Sequence, residues 1–180
     1  MRSKDEARKQ WKRERLTFTQ WPSDEVCKQI LSDPAFHQAR WVGLYSARLG
    51  EVDLSPLWKA RPEACVFPKV VGPSHMEFHH ISDLKDLRPG FAGILEPRGG
   101  SPVDSWGGND WILVPGSAFD QKGSRVGSGA GFYDRFLVGV SARPVGVCWE
   151  SQIVPQGLAQ EPTDVRMWAI FTERRALKIG

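Results

Sequence analysis

Apolar residues gather in short, nearly unbroken runs at 41–45, 64–71, 76–78, 111–114, 144–149 and 165–171. Runs of this length, rich in Val, Ile, Phe and Trp, predict strands covered on both faces. Pro68 marks the edge of the second run, because proline cannot donate to a ladder. Helical segments fall between the runs. They are 2–16, 19–31 with Ser23-Asp24-Glu25 at its start and Pro34 beyond its end, and the opening of a helix at 132–137. Ser55-Pro56 reads as an N-cap and first-turn proline of a short helix, and 83–87 as a helical turn. Strands alternating with helices predict an α/β architecture with a mostly parallel sheet between two helical layers. Residues 97–109, rich in Gly, Ser, Pro and Asp, read as a loop, and 174–180 as a frayed tail.

Composition narrows the class. At 180 residues, with no internal repeat or low-complexity linker, the chain reads as a single domain over 1–180. Its net charge of +3 supports anionic ligands only weakly. No apolar run approaches the roughly 20 residues needed to span a bilayer, and the N-terminus is too charged for a secretory signal. Cys27, Cys65 and Cys148 are few and far apart, so a cytoplasmic protein without a disulfide framework is expected. His79 and His80 would leave a strand on opposite faces, and no Cys or acid pair joins them, so no histidine metal site is expected.

Candidate chemistry concentrates in 114–137. The apolar run 111–114 meets a break at Pro115-Gly116. A loop with Gly123, Gly127, Gly129 and Gly131 follows, then Phe132-Tyr133-Asp134-Arg135-Phe136-Leu137. The glycines are spaced G-x-G-x-G, which is neither a Walker A loop nor G-x-G-x-x-G. Two readings fit them: a mobile connection, or a strand–loop–helix anion cradle in which the backbone closely approaches a phosphate. Arg125 before the glycines and Asp134 after them favour the cradle. The basic helix 2–16 also has two readings, a solvated face that could touch nucleic acid or a source of cations for the cradle. Lys4 and Arg8 share one side of it.

Residues 112–137 resemble the signature of the 5-formyltetrahydrofolate cyclo-ligase (methenyltetrahydrofolate synthetase) family. That signature runs Pro-Gly, apolar-Phe-Asp, Gly, then Arg-Leu-Gly-x-Gly-x-Gly-Tyr-Tyr-Asp. Here those positions are Pro115-Gly116, Ala118-Phe119-Asp120, Gly123 and Arg125-Val126-Gly127-Ser128-Gly129-Ala130-Gly131-Phe132-Tyr133-Asp134. Weaker similarity runs from about residue 4 to about residue 173. Val126 and Phe132 replace Leu and Tyr. Ser128 stands where a long side chain is common, and Ala130 where Gly or Lys is usual.

The resemblance implies a single-domain, three-layer Rossmann-like sandwich that binds ATP and magnesium. Lys4, Arg8, Arg125, Val126, Gly127, Ser128, Gly129, Ala130, Gly131, Phe132 and Tyr133 would contact ATP. Asp134 and Asp164 would hold Mg2+; the family's second downstream Asp is replaced by Trp168. Ser46, Glu51, Met76, Phe91 and Tyr133 would contact the folate. Glu51 lies in Glu51-Val52-Asp53-Leu54, with Leu where the family has Thr; without the family it reads as a surface acid. Phe91 lies one residue before Ala92, which occupies the place of a family aromatic ahead of Gly93-Ile94-Leu95-Glu96-Pro97.

The implied reaction is ATP-dependent conversion of 5-formyltetrahydrofolate to 5,10-methenyltetrahydrofolate with release of ADP and phosphate. Phosphorylation makes the formyl oxygen a leaving group, so no covalent nucleophile is expected. The expected partner is a small folate, with or without a polyglutamate tail, acted on by a monomer with no membrane or nucleic-acid partner. The alternative, from a different class, is a non-catalytic nucleotide- or RNA-binding module built on the basic helix and the tryptophans.

Overall fold

In the strand Trp111–Pro115, alternate side chains leave for opposite faces, and both faces are covered. Trp111 and Leu113 join one core with Val145, Val147, Ala169 and Phe171. Ile112 and Val114 join another with Val66 and Ile170. This alternation in a run with no polar face makes the strand the centre of a sandwich.

The computed structural model describes residues 1–16 and 22–180. In chain order its elements begin with α1 (Lys4–Glu14), α2 (Ser23–Leu31), α3 (Pro34–Gln38), β1 (Val42–Gly43) and α4 (Ser55–Ala60). Next come β2 (Cys65–Val70), β3 (Met76–His80), β4 (Leu87–Pro89) and β5 (Leu95–Pro97). Then follow β6 (Trp111–Pro115), β7 (Ala118–Asp120), β8 (Arg125–Val126), α5 (Phe132–Val138) and β9 (Arg143–Val147). The chain closes with β10 (Ile153–Val154), β11 (Ala169–Phe171) and β12 (Ala176–Lys178). The predicted second helix is described from Ser23 onward; its expected start at residue 19 lies outside the described residues.

The main sheet has seven strands in the order β12-β11-β9-β6-β1-β2-β3. The inner strands run parallel, and β3 and β12 pair antiparallel at the two edges. Ile30 of α2, Phe36 of α3 and Leu57 of α4 cover one face. Leu137 of α5 and Phe119 of β7 cover the other. The architecture is therefore the expected α/β sandwich with a mostly parallel sheet.

The chain leaves β1 for β2 on one side and later returns to β6 on the other. The carboxyl ends of β1 and β6 thus flank a topological switch point, where connections diverge and open sheets leave a crevice. At the opposite end, buried Asp110 ties these two strands together. Its Oδ1 accepts from the backbone N–H groups of Arg40 and Trp41, each at 2.9 Å, and its Oδ2 from Gly107 at 2.7 Å.

Several expectations change. The tail 174–180 is not frayed: β12 pairs with β11 from Ala169–Lys178 to Phe171–Ala176, and Thr172 is buried in the turn between them. The run 165–171 becomes a strand only at Ala169–Phe171, because Met167 N–H is already committed to Gly123 O in the hairpin loop. The loop expected after Pro115 contains that hairpin, β7–β8, whose sheet β10 completes. The short helix starts at Ser55 itself, so its N-cap position falls on Leu54, which offers no side-chain cap, and Asp53 Oδ1 accepts from Ser55 N–H at 2.9 Å.

Helix α1 lies on the small sheet. Ser3 caps it in a capping box with Glu6. Ala7 buries against Ala118, Val126, Val154 and Leu158. A backbone bridge from Arg2 to Leu158 anchors the segment before it. The positive face is thereby aimed across the switch point.

Two outcomes follow for stability. Replacing Asp110 with Ala removes the charged acceptor of three N–H groups and should cost about 3 kcal/mol in urea unfolding. Burial pushes the thiols of Cys27 and Cys65 from 9.0 up to about 12, with Asp53 and Asp24 adding to the effect at Cys27. The folded chain then keeps protons that the unfolded chain releases. Stability should hold below pH about 9 and fall as pH rises from there toward 12, read as a dropping urea midpoint.

Candidate active site

The switch-point crevice is a cavity of about 910 Å³. Ligand sites commonly occupy this size range and this place in an open sheet. Tyr45, Ser46, Arg48 and Glu51 line it from the segment after β1. Pro115, Gly116 and Ser117 line it from the end of β6, followed by Arg125 and the glycine stretch through Asp134. Lys4 and Arg8 reach in from α1, and Glu161 to Asp164 from the segment before β11. Met76, Phe91, Ala92 and Ile94 close the apolar side.

All the candidate residues except Val126 meet there. The Val126 side chain is fully buried beneath α1, and its carbonyl accepts from Ser117 N–H at 2.6 Å. The structure thus makes it part of the floor under the loop. Sequence reasoning did not mark Tyr45, Arg48 or Glu161. Arg48 carried a usable signal, standing three residues before an acid at the end of a strand. Trp168, at the place of the family's second Asp, points elsewhere. Its ring packs 5.7 Å from Trp111, with Arg143 4.6 Å and Lys178 Nζ 4.7 Å over its face.

Each cation in the cavity has an acidic or carbonyl partner. Lys4 Nζ lies 2.8 Å from Asp164 and 3.2 Å from Glu161. Burial pulls the Lys4 pKa down, but the hydrogen bonds to Asp164 and Glu161 outweigh it and leave the ammonium above its ordinary value. Arg8 donates from Nε to Gly127 O at 3.1 Å and from Nη1 to Asp5 at 2.8 Å. Arg125, with its side chain 5 % exposed, donates from Nη2 to Asp134 at 2.7 Å and from Nη1 to Pro115 O at 3.1 Å.

The glycine loop is shaped for a close approach. Gly129 has φ +105° and Gly131 φ +70°, backbone that other L-residues rarely adopt. A Cβ at Gly127 would stand 2.6 Å from Arg125 Nη1. Gly131 caps α5, which brings Tyr133 and Asp134 into its first turn.

The end near β1 differs in character. Arg48 donates from Nε and Nη2 to Glu51 Oε1 at 3.2 and 3.0 Å, and from its backbone N–H to Oε2 at 2.9 Å. The carboxylate is therefore held in one orientation. The Tyr45 and Tyr133 hydroxyls and Ser46 Oγ are buried with no hydrogen-bond partner among the described residues. Burial drives both phenols well above their ordinary pKa, and the negative Glu51 adds to this. Both stay protonated. The Phe91 ring sits edge-on to Phe132 at 5.2 Å and is half exposed at the rim.

Comparison with known proteins interprets this geometry. The 5-formyltetrahydrofolate cyclo-ligase family model matches residues 1–173. The chain belongs to that family. It is 29% identical over 182 residues to the mitochondrial 5-formyltetrahydrofolate cyclo-ligase of Arabidopsis thaliana, covering 83% of this chain and 65% of that protein's length. A probable 5-formyltetrahydrofolate cyclo-ligase of Schizosaccharomyces pombe is 26% identical over 175 residues, covering 87% of this chain and 86% of that one. The solved 5,10-methenyltetrahydrofolate synthetase of Aquifex aeolicus superposes with a TM-score of 0.85 at 31% identity, covering 98% of this chain and 92% of that one. No helix among the described residues is long and apolar enough to cross a membrane.

The β7–β8 turn, just before Arg125 and the glycine loop, is tied to the segment before β11 by the Met167 N–H bond to Gly123 O. Gly123 there has φ +85°, and a Cβ would meet Met167 O at 2.7 Å. Gly123→Ala should destabilise by about 2 kcal/mol or more, combining backbone strain with a clash that a fixed carbonyl cannot relieve. The check is the midpoint of thermal unfolding.

Proposed function

We infer that this cavity carries out the family's ring closure, with a triphosphate on the glycine loop and the folate at the end near β1. The chain is an ATP-dependent ligase that converts 5-formyltetrahydrofolate to 5,10-methenyltetrahydrofolate with release of ADP and phosphate. The observation that carries the placement is the cavity's polarity. Lys4, Arg8 and Arg125 gather about the glycine loop and Glu51 with Tyr45 follows β1, while Tyr133, under the Arg125 guanidinium at 5.8 Å, and Phe91, against Phe132, lie between them.

The chemistry asks little covalent work of the protein. A formamide oxygen is a poor leaving group until the terminal phosphoryl group of ATP is transferred to it. N10 then attacks the formyl carbon, the C–O bond breaks and phosphate departs. The enzyme must bring two ligands into line and balance phosphate charge. Lys4, Arg8 and Arg125 supply positive charge. The N–H groups of 127–131 approach phosphate oxygens without side chains in the way. The fixed Glu51 carboxylate accepts from N–H donors of the pteridine, and Phe91 with Met76 offers it an apolar face.

Magnesium is tested by the donor set. Among the described residues no group of three or more His, Cys, Asp or Glu stands ready as a cage. Magnesium in nucleotide enzymes commonly takes one or two carboxylates together with phosphate oxygens and water. Asp134 and Asp164, both lining the phosphate end, fit that pattern. They would hold the ion, which would shield charge on the phosphates.

The partner is thus a small folate, with or without a polyglutamate tail. We place the protein in the cytoplasm as a monomer, on its three free, buried cysteines and its well-covered core. A nucleic-acid-binding module would have to use the exposed Lys9, Lys12 and Arg13 of α1, since Lys4 and Arg125 are turned inward onto Asp164, Glu161 and Asp134.

Mixing the protein with ATP, magnesium and 5-formyltetrahydrofolate should generate the methenyl chromophore together with an equal amount of ADP. Asp134→Asn should lower turnover by about 100-fold. Its urea midpoint should fall as well, because the amide oxygen still accepts from Arg125 but no longer balances that buried charge, so turnover is read on the folded variant. Unchanged turnover at saturating magnesium would remove Asp134 from the machinery.

A further inference from the structure

We propose that the hydroxyl of Tyr45 is a substrate contact, reading the polar edge of the pteridine beside Glu51 and helping to decide which folate is accepted. The inference rests on the placement of the folate described above and adds a residue to it.

Tyr45 stands at a position that fold stability alone would fill with an apolar side chain. It follows β1 in the run Val42-Gly43-Leu44-Tyr45, and it is 4 % exposed within the same core as Trp11, Leu44 and Leu54. A Phe there would preserve the ring's packing. The hydroxyl has no hydrogen-bond partner among the described residues, and its oxygen is out of contact with solvent. Burying an unpaired hydroxyl opposes folding. A partner from outside the chain would relieve that cost, and it reaches the oxygen once the ring shifts toward the cavity that Tyr45 lines.

The surroundings say where that partner would lie. Among the described residues seven buried side-chain atoms lack partners, and four of them belong to residues lining this one cavity: Tyr45, Ser46, Arg125 and Tyr133. Tyr45, Ser46 and Tyr133 share the end that also holds Glu51. A pteridine edge carries N–H donors next to a carbonyl acceptor. Glu51 can only accept, and its oxygens are already fixed by Arg48. A carbonyl beside those donors therefore needs a donor from another residue. A protonated phenol can supply it, and burial keeps that proton in place. The hydroxyl thus complements the carboxylate, and Tyr45 completes the set by which a ring with this donor and acceptor order is told from others.

The test compares Tyr45→Phe with the native chain in three measurements. These are urea unfolding, the binding of 5-formyltetrahydrofolate without ATP, and the binding of a non-hydrolysable ATP analogue with magnesium. The variant should unfold at the same or a higher urea concentration and bind the analogue as the native chain does. It should bind the folate about tenfold more weakly, about 1.4 kcal/mol. A folded variant whose folate affinity stays within about twofold of native overturns the contact. Tyr45→Leu, which also removes the ring, separates packing from recognition: its loss of folate affinity should exceed that of Tyr45→Phe and be joined by a lower urea midpoint. Should the native chain itself fail to bind 5-formyltetrahydrofolate, the placement of the folate falls, and the contact with it. That result is distinct from a native chain that binds and a Phe variant that binds equally well.

Discussion

The Arg125 guanidinium is the point on which the site depends. It is almost wholly buried, yet it bonds at once to the carbonyl of Pro115 and to the carboxylate of Asp134. Those partners belong to the end of β6 and the first turn of α5. One charged group from β8 thus fixes the strand end, the hairpin and the helix between which the glycine loop hangs. A buried charge is costly unless paired, so the pair specifies the geometry as much as it stabilises it. Gly127 follows from the same constraint, whereas Gly129 and Gly131 are called for by their positive φ. At Gly127 the guanidinium leaves no room for a Cβ.

Counter-charge within the site explains how so many cations coexist. Lys4 rests on Asp164 and Glu161, Arg8 on Asp5, and Arg125 on Asp134. Packed side by side without partners, these groups would repel one another and lose hydration. Paired, they remain beside the glycine loop, where the proposed triphosphate would lie. On the proposed placement, a triphosphate with a divalent ion would offer each member of a pair a new partner of the right sign. The acids and bases can then exchange partners without any charge being left unpaired in a poorly hydrated space.

The other end of the cavity works by fixed hydrogen-bonding groups instead of mobile charge. Arg48 locks the Glu51 carboxylate, and the two phenols stay neutral because burial and the nearby negative charge both oppose their ionisation. A neutral heterocycle needs directional donors and acceptors, whereas a phosphate tail needs neutralisation. The difference between the two ends matches the difference between the two ligands of a cyclo-ligase.

Local pattern along the chain was enough for the layered α/β class, the strands around Trp111 and Val145, and the loop that bears the glycines. These rest on local pattern: unbroken apolar runs can only be buried, and Gly129 and Gly131 adopt backbone that other residues avoid. It also marked Lys4 and Arg8 as sharing a helix face. It could not show that β12 exists, because Ala176–Lys178 carries little apolar signal and is a strand only because β11 offers an open edge. It could not find the β7–β8 hairpin, whose short strands depend on partners far along the chain at Ile153–Val154. Nor could it place Lys4 beside Asp164, 160 residues away. It could not show that Val126 packs under α1 or that the Tyr45 hydroxyl lacks a partner. Each of these depends on what long-range packing brings together or leaves unpaired, and no local stretch of chain contains that information.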